Sequence, residues 1–313
     1  MAKFFSNFAS KMKKIVVFIA ILCLFTACGQ SYQERQRVGR QERLRMQRED
    51  SLALKVALVP ALDCLPLFVA AECGVFDTLK VDVRLKVKNS PLDCVEALKH
   101  KKVEGIVSDL FHTERLVRQG QQLRYAGATD GYCQIIANRL SRVTTLKQLD
   151  GKLIAMSRYG VTDFITKHAL DSVKLPDLKA FRVQIHDPVI RTDMLKNNEL
   201  DAVAVDEPYA TELRELKHKV LLDTRTLCVT PRVIAFRTAS LTDDRINKQY
   251  QKFRTAYNIA CDSINHYGIA HYAPLIEKYC KVSEKVVGKL PKTKFQHLSD
   301  PKEKDIARAA KWK

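Results

Sequence analysis

The sequence predicts an α/β protein of two similar lobes, each a mostly parallel sheet flanked by helices, with a cleft between them. Three observations carry this. From Leu52 onward, short apolar strands alternate with helical stretches, the pattern of a parallel sheet covered by helices. The same order returns at an offset of 97 residues, so that Lys55 falls on Lys152. The chain of 313 residues also has the length for two domains, at about 100–200 residues each. With 46% hydrophobic and 28% charged residues the composition is that of a folded chain rather than a disordered one.

The N-terminal segment stands apart. Residues 1–27 carry Lys3, Lys11, Lys13 and Lys14 and no acid, and end in the thirteen-residue apolar run Ile15 to Ala27. A spanning helix needs about 20 residues. A basic start followed by an apolar core of this length reads as a secretory signal peptide. Its end, Leu24-Phe25-Thr26-Ala27-Cys28-Gly29, resembles the lipobox of bacterial lipoproteins, with Phe25 where Leu is usual. That resemblance implies cleavage before Cys28 and a diacylglycerol on its thiol. It places the body outside the cytoplasm, lipid-anchored to a membrane of the bacterial cell envelope.

Lysine plus arginine is 53 against 35 acids, a formal charge of +18, and loss of the four signal lysines leaves +14. Residues 28–51 are almost free of apolar side chains and carry six arginines. They read as a polar tether, reaching roughly 26 Å as a coil at about 5–6 Å × √n. Their Gln, Glu and Arg are also fair helix formers. Basic balance alone supports nucleic-acid binding weakly, no RNA-binding signature is seen, and export argues against it.

Nine cysteines occur, and seven remain once Cys23 leaves with the signal and Cys28 is set aside. None are spaced C-x-x-C, so neither a metal nor a cofactor is expected. Cys73, Cys94 and Cys133 lie in apolar stretches and read as buried thiols. Cys261 and Cys280 are a candidate disulfide in an oxidising compartment.

In the first lobe, strand Lys55–Val59 leads to helix Pro66–Cys73, with Pro in the first turn and Gly74 past the end. Strand Val81–Val87 follows. Ser90 then caps a helix whose first turn takes Pro91 and Asp93. Strand Val103–Ser108 and helix Phe111–Arg118, closed by Gly120, complete the unit. The second lobe repeats it with strand Lys152–Ser157, helix Thr162–Val173, strand Phe181–Ile185, helix Val189–Asn197, strand Asp201–Val205 and helix Tyr209–His218. The apolar pairs Leu123–Arg139 and Val220–Arg237 read as two crossings. They divide the chain into a first lobe of 52–130 with 232–313 and a second lobe of 131–231. After Arg237 come helices over Thr242–Tyr267, Ala270–Tyr279 and near Glu284. The tail from Lys289, with eight basic residues against three acids, reads as a solvated end.

Ligands of open α/β sheets bind beyond the carboxyl ends of the strands. The candidate ligand-binding residues are therefore Asp63, Ser108, Asp109, Thr129 and Asp130 of the first lobe. In the second they are Ser157, Arg158, Gly160, Thr162, Asp206, Glu207 and Tyr209. The loop Ser157–Thr162 opens a helix, and N–H groups there, with a glycine for close approach, suit an anion. Thr162 as a plain cap is the alternative reading. Glu207 is equally a cap for the helix after Pro208. The acids Asp63, Asp109 and Asp130 would equally serve an amine or a pyrimidine ring.

Three stretches carry a family resemblance. Leu65-Pro66-Leu67-Phe68-Val69-Ala70-Ala71-Glu72-Cys73-Gly74-Val75-Phe76, Lys147–Ala155 and Leu200–Tyr209 are similar, in order, to motifs of ABC-importer substrate-binding proteins for nitrate, sulfonates and thiamine precursors. Asp206 stands where that family often has an aromatic residue. The resemblance implies a two-lobe, type II periplasmic binding protein-like fold. It implies a non-catalytic function, capture of a sulfonate- or nitrate-like anion or a pyrimidine thiamine precursor and its delivery to an ABC permease. The alternatives are an enzyme on the same scaffold, for which His112, His168 and His186 are the histidines near the lobe faces, and a surface lipoprotein that has lost its ligand.

Overall fold

The computed structural model describes residues 32–176 and 180–312. The expected signal peptide and the lipid site at Cys28 lie outside the described residues. Two compact units result, ending and beginning at Leu52 and Ala53. The first contains helix α1, Tyr32–Leu52. The tether expected as a coil is thus helical where it is described, consistent with its Gln, Glu and Arg content. Val38, Leu44 and Met46 are exposed on it. Among the described residues, no helix is long and apolar enough to cross a membrane.

The second unit holds two five-stranded sheets. The first contains β1 (Leu54–Leu58), β2 (Val83–Val87), β3 (Gly105–Asp109), β4 (Leu123–Ala128) and β10 (Arg232–Arg237), in the order β2-β1-β3-β10-β4. The second contains β5 (Cys133–Ala137), β6 (Leu153–Met156), β7 (Phe181–Gln184), β8 (Ala202–Asp206) and β9 (Lys219–Asp223), in the order β7-β6-β8-β5-β9. The orders correspond strand for strand. In each sheet the first three strands are parallel, and the fourth, β10 or β5, is antiparallel to both neighbours. The chain exchanges these strands: β5 follows β4 yet enters the second sheet, and β10 follows β9 yet enters the first.

Helices α2 (Leu65–Glu72), α3 (Val75–Thr78), α4 (Pro91–Lys99) and α5 (Leu110–Arg118) belong to the first repeat. Helices α6 (Val161–Ser172), α7 (Pro188–Lys196) and α8 (Tyr209–Glu215) belong to the second. Local chemistry sets their starts. Ser90 Oγ accepts the Asp93 N–H at 3.1 Å and Asp187 Oδ1 accepts the Val189 N–H at 2.8 Å. Both caps precede a proline in the first turn, where its missing N–H costs nothing. Gly105 opens β3 because a Cβ there would lie 2.6 Å from the Phe236 ring on β10.

Helix α9 (Asp244–Tyr267) buries Ile246, Tyr250, Phe253, Tyr257 and Ile264 along one stripe, at the spacing of a core-facing helix. Each such side chain contributes about 1.5–3 kcal/mol on burial. α10 (Ala273–Cys280) and α11 (Glu284–Val287) follow. The tail is not a solvated end. Phe295, Leu298 and Ala309 are buried, Ser299 bridges to Ala128, and α12 (Glu303–Lys311) packs on α5. Asn265 fixes the tail by bonding both backbone groups of Phe295, at 2.7 and 2.9 Å. Its lysines face water while its few apolar residues face inward, a pattern that net charge conceals.

Among the described residues, Cys64, Cys73, Cys94, Cys133, Cys228, Cys261 and Cys280 are all free thiols, so Cys261 and Cys280 are not joined. Cys94 and Cys133 are buried as expected, but Cys73 is exposed at the end of α2. Among the described residues no group of His, Cys, Asp and Glu is placed to hold a metal.

Candidate functional site

The carboxyl ends of β1, β3, β6 and β8 converge. The cavity there, of about 30 Å3, is lined by Pro60 and Ala61 after β1, Asp109 and His112 after β3, Ser157 and Thr162 after β6, and Asp206 and Tyr209 after β8. Arg191 on α7 and Arg232 at the start of β10 complete it. Such a volume accommodates a water or two.

Arg232 is the centre of the charge network. Its Nε donates to Asp63 Oδ2 at 3.1 Å, and its Nη1 lies 3.5 Å from Asp206 Oδ2. Thr129 Oγ1 donates to the same Asp63 oxygen at 2.7 Å. Burial works against the guanidinium charge, but Asp63 and then Asp206 hold its pKa above the ordinary arginine value. Gly131 is required beside this group, because a Cβ there would lie 2.6 Å from Arg232 Cγ and 2.8 Å from Asp63 Cγ.

Asp109 and His112 form a second buried pair. Asp109 Oδ1 caps α5 by accepting the His112 N–H at 3.0 Å, and Oδ2 lies 2.8 Å from His112 Nδ1. Burial opposes the charge of Asp109, yet His112 holds its carboxyl below the usual carboxylate range. His112 Nε2 lies 3.1 Å from the Arg158 carbonyl. The imidazole therefore reaches from the first repeat to the start of α6 in the second. A Cβ on Gly160 would lie 2.1 Å from His112 Cε1, so glycine is needed there to admit this histidine.

Asp206 is different. Its Oδ1 is buried with no N–H or O–H partner, and the Cys133 thiol, a weak donor, lies beside the carboxyl. Burial pushes its carboxyl up to about 6, offset by Arg232 and Arg191 and reinforced by Asp63 and Asp109. Arg191, 3% exposed, bonds the Ile185 carbonyl through Nη1 at 2.6 Å, and its Nε has no partner.

The remaining expected residues divide. Thr162 Oγ1 accepts the Ser157 N–H at 2.9 Å and donates to the Ser157 carbonyl at 2.8 Å, so it closes the loop onto itself. Ser157 Oγ lies 3.0 Å from His186 Nδ1. Tyr209 donates to the Pro60 carbonyl at 3.4 Å. Burial raises its phenol pKa above the ordinary value. Glu207 is committed within the protein: Oε1 accepts Tyr132 and Arg214 at 2.6 Å each, and Oε2 accepts the Thr211 N–H at 2.9 Å and its hydroxyl at 2.7 Å. Asp130 accepts the Gln296 N–H at 2.7 Å. Ser108 is buried in β3 with its Oγ unpartnered, and Arg158 is exposed.

Sequence reasoning missed Arg232 and Arg191. Arg191 had a signal: it shares a helical face with Leu195, four residues on, and both are buried. Arg232 had none, since a basic residue at the edge of an apolar strand ordinarily faces water.

The two crossings run side by side. Thr129 N–H donates to the Arg232 carbonyl at 3.0 Å and Thr224 N–H to the Cys133 carbonyl at 3.0 Å. Direct bonds also join the repeats, from the Leu62 N–H to the Glu207 carbonyl at 2.8 Å.

No protein-family model matches the sequence, and no curated protein matches it. Solved structures do match in three dimensions. A protein of Bordetella bronchiseptica RB50 is similar with a TM-score of 0.70 at 18% identity, over 83% of this chain and 88% of that one. The alkanesulfonate-binding protein SsuA of Xanthomonas axonopodis pv. citri, solved bound to MOPS, gives 0.68 at 15% identity, over 82% and 89%. The periplasmic nitrate-binding protein NrtA of Synechocystis PCC 6803 gives 0.65 at 14% identity, over 75% and 68%. Paired sheets with exchanged strands, a cleft at the strand ends and these likenesses together establish that the chain has the two-lobe fold of the periplasmic binding proteins.

Proposed function

We propose that this protein is an extracytoplasmic solute-binding lipoprotein that captures a small molecule between its lobes and delivers it to an ABC import permease. The lobes are residues 52–130 with 232–313, and residues 131–231. The observation that carries the reading is a pair of orphaned polar atoms, Arg191 Nε and Asp206 Oδ1, on residues lining one cavity. Leaving such atoms unpaired costs about 1–3 kcal/mol each, and a solute that bonds them recovers it. The sulfonate- and nitrate-binding neighbours support the same role. Capture requires the paired crossings to bend, as in hinge closure of binding proteins. Affinity then depends on the population of the closed form.

The test is a thermal-shift screen of the body from Leu52 onward against sulfonates, nitrate, bicarbonate, pyrimidines and amines. A captured solute raises the melting temperature by mass action and binds one to one. If no small molecule of any class does so, solute capture fails. For the anchor, Cys28→Ser is expected to abolish lipid labelling and membrane retention; retention unchanged would refute it.

One observation favours a second reading, an enzyme. Ser157 Oγ and His186 Nδ1 lie within hydrogen-bond reach, and burial and Arg191 lower the His186 pKa, keeping the ring neutral as a base must be. Turnover of an activated ester that disappears in Ser157→Ala would establish it; saturable binding without turnover would exclude it.

A further inference from the structure

The place where the sequence suggests an anion, the start of α6, is taken by the protein's own groups. His112 packs against Gly160 and reaches the Arg158 carbonyl, and Asp109 Oδ2 would be 2.8 Å from a Cβ on Gly160. A carboxylate already faces this helix terminus, so a second anion there meets like-charge repulsion at short range. The loop hydroxyls are engaged as well, Thr162 with Ser157 and Ser157 with His186.

The charges around the cavity point the same way. Asp109 is answered by His112, Asp63 and Asp206 share the one guanidinium of Arg232, and Arg191 spends its Nη1 on backbone carbonyls. One acceptor is left over, Asp206 Oδ1, and one donor, Arg191 Nε on a side chain 97% buried (3% exposed). Burial disfavours the charge of Asp206, which a positive donor would stabilise. The two open positions thus differ in kind: one calls for N–H groups, the other for a lone pair.

Resting on the solute-capture reading, we infer that the cleft takes a small cationic nitrogen solute, an amine, amidine or guanidine, whose N–H groups bond Asp206 and whose neighbouring oxygen, where it has one, accepts from Arg191. This is the charge class opposite to the sulfonate and nitrate of its structural neighbours. The loop before α6 acts as a seat for His112 rather than for ligand.

Isothermal titration of the body from Leu52 onward tests this with glycinamide, ethanolamine and methylguanidine, against methanesulfonate and nitrate, with tetramethylammonium as a cation lacking N–H groups. Expected is one-to-one binding of at least one N–H cation, none of tetramethylammonium, and at least tenfold weaker binding in Asp206→Asn. Arg191→Met should weaken glycinamide several-fold more than methylguanidine, which has no oxygen; this contrast is decisive if Asp206→Asn does not fold. One-to-one binding of methanesulfonate or nitrate that survives Asp206→Asn overturns the inference and leaves solute capture standing. So does cation binding that Asp206→Asn leaves unchanged. Binding by no member of either set overturns the inference; solute capture then stands or falls with the wider screen.

Discussion

Asp109 and Asp206 are equivalent positions of the two repeats, 97 residues apart at the ends of β3 and β8, and they have opposite fates. Asp109 has both oxygens satisfied by His112. Asp206 shares Arg232 through one oxygen and leaves the other without an N–H or O–H partner. The antiparallel fourth strand accounts for part of the asymmetry. Opposite Asp109 it places Arg232, and opposite Asp206 it places Cys133. The single guanidinium so introduced serves Asp63 and Asp206 across the cleft.

Removing that guanidinium strands two acids. Arg232→Met is expected to cost about 3–5 kcal/mol, the penalty of an uncompensated buried charge. The melting temperature should fall on the order of 10 °C. Adding Asp63→Asn to Arg232→Met should restore part of the loss. Thermal unfolding of the single and double variants checks this; a single variant within 1 °C of the parent would contradict the network.

Gly160→Ala brings a methyl group onto the His112 ring. Overpacking of this kind costs about 1–3 kcal/mol. If the clash is with His112 specifically, Gly160→Ala should be much less harmful in a His112→Ala background than alone. Urea denaturation of the four proteins measures the coupling, and additivity would show that the histidine does not sit there.

The raised pKa of Asp206 gives stability a pH signature. From an ordinary 3.8 it is pushed up to about 6, so the folded protein holds a proton that the unfolded chain has lost. Between pH 4 and 6 the folded state therefore binds more protons, and this residue's contribution to stability falls as pH rises. Asp109, held low by His112, acts in the opposite sense at lower pH. Asp206→Asn should remove the downward trend and gain stability relative to the parent as pH rises from about 4 to 7. The difference between the two melting curves across that window isolates the residue; a constant difference would argue against it.

Truncation after Asp300 tests the docked tail. It removes Trp312, whose ring stands edge-on to Phe164 at 5.4 Å and to Phe111 at 6.2 Å. It also removes Asp305, which accepts the Thr230 N–H at 3.1 Å. Loss of the aromatic pairs alone is worth about 0.5–1.5 kcal/mol each beyond area burial. The truncated body should melt several degrees lower, and a melting point unchanged would mean that α12 does not contribute.

Much of the architecture was legible because it is written locally. Ser90-Pro91 and Asp187-Pro188 announce equivalent helix starts through side chains that bond N–H groups two or three residues on. Alternation of apolar strands and amphipathic helices marked both repeats. Less was legible in the tail and at the cleft. The apolar residues of the tail are few among lysines, and only docking onto α5 and α9 gives them a buried side. Thr162 and Glu207 were visible as polar residues at strand ends, but whether they face a solute or cap their own helices depends on rotamers set by packing.

The sequence by itself determined the order of the elements, their repetition at 97 residues and the strand ends where a cleft must form, because propensity, capping and hydrophobic period act within a few residues of chain. Tertiary structure alone decided which charges meet. Arg232 pairs with Asp63 across 169 positions of sequence, and His112 enters the seat at Gly160 from the other repeat. Such pairings follow from strand exchange and the approach of the two lobes, and no local periodicity encodes them.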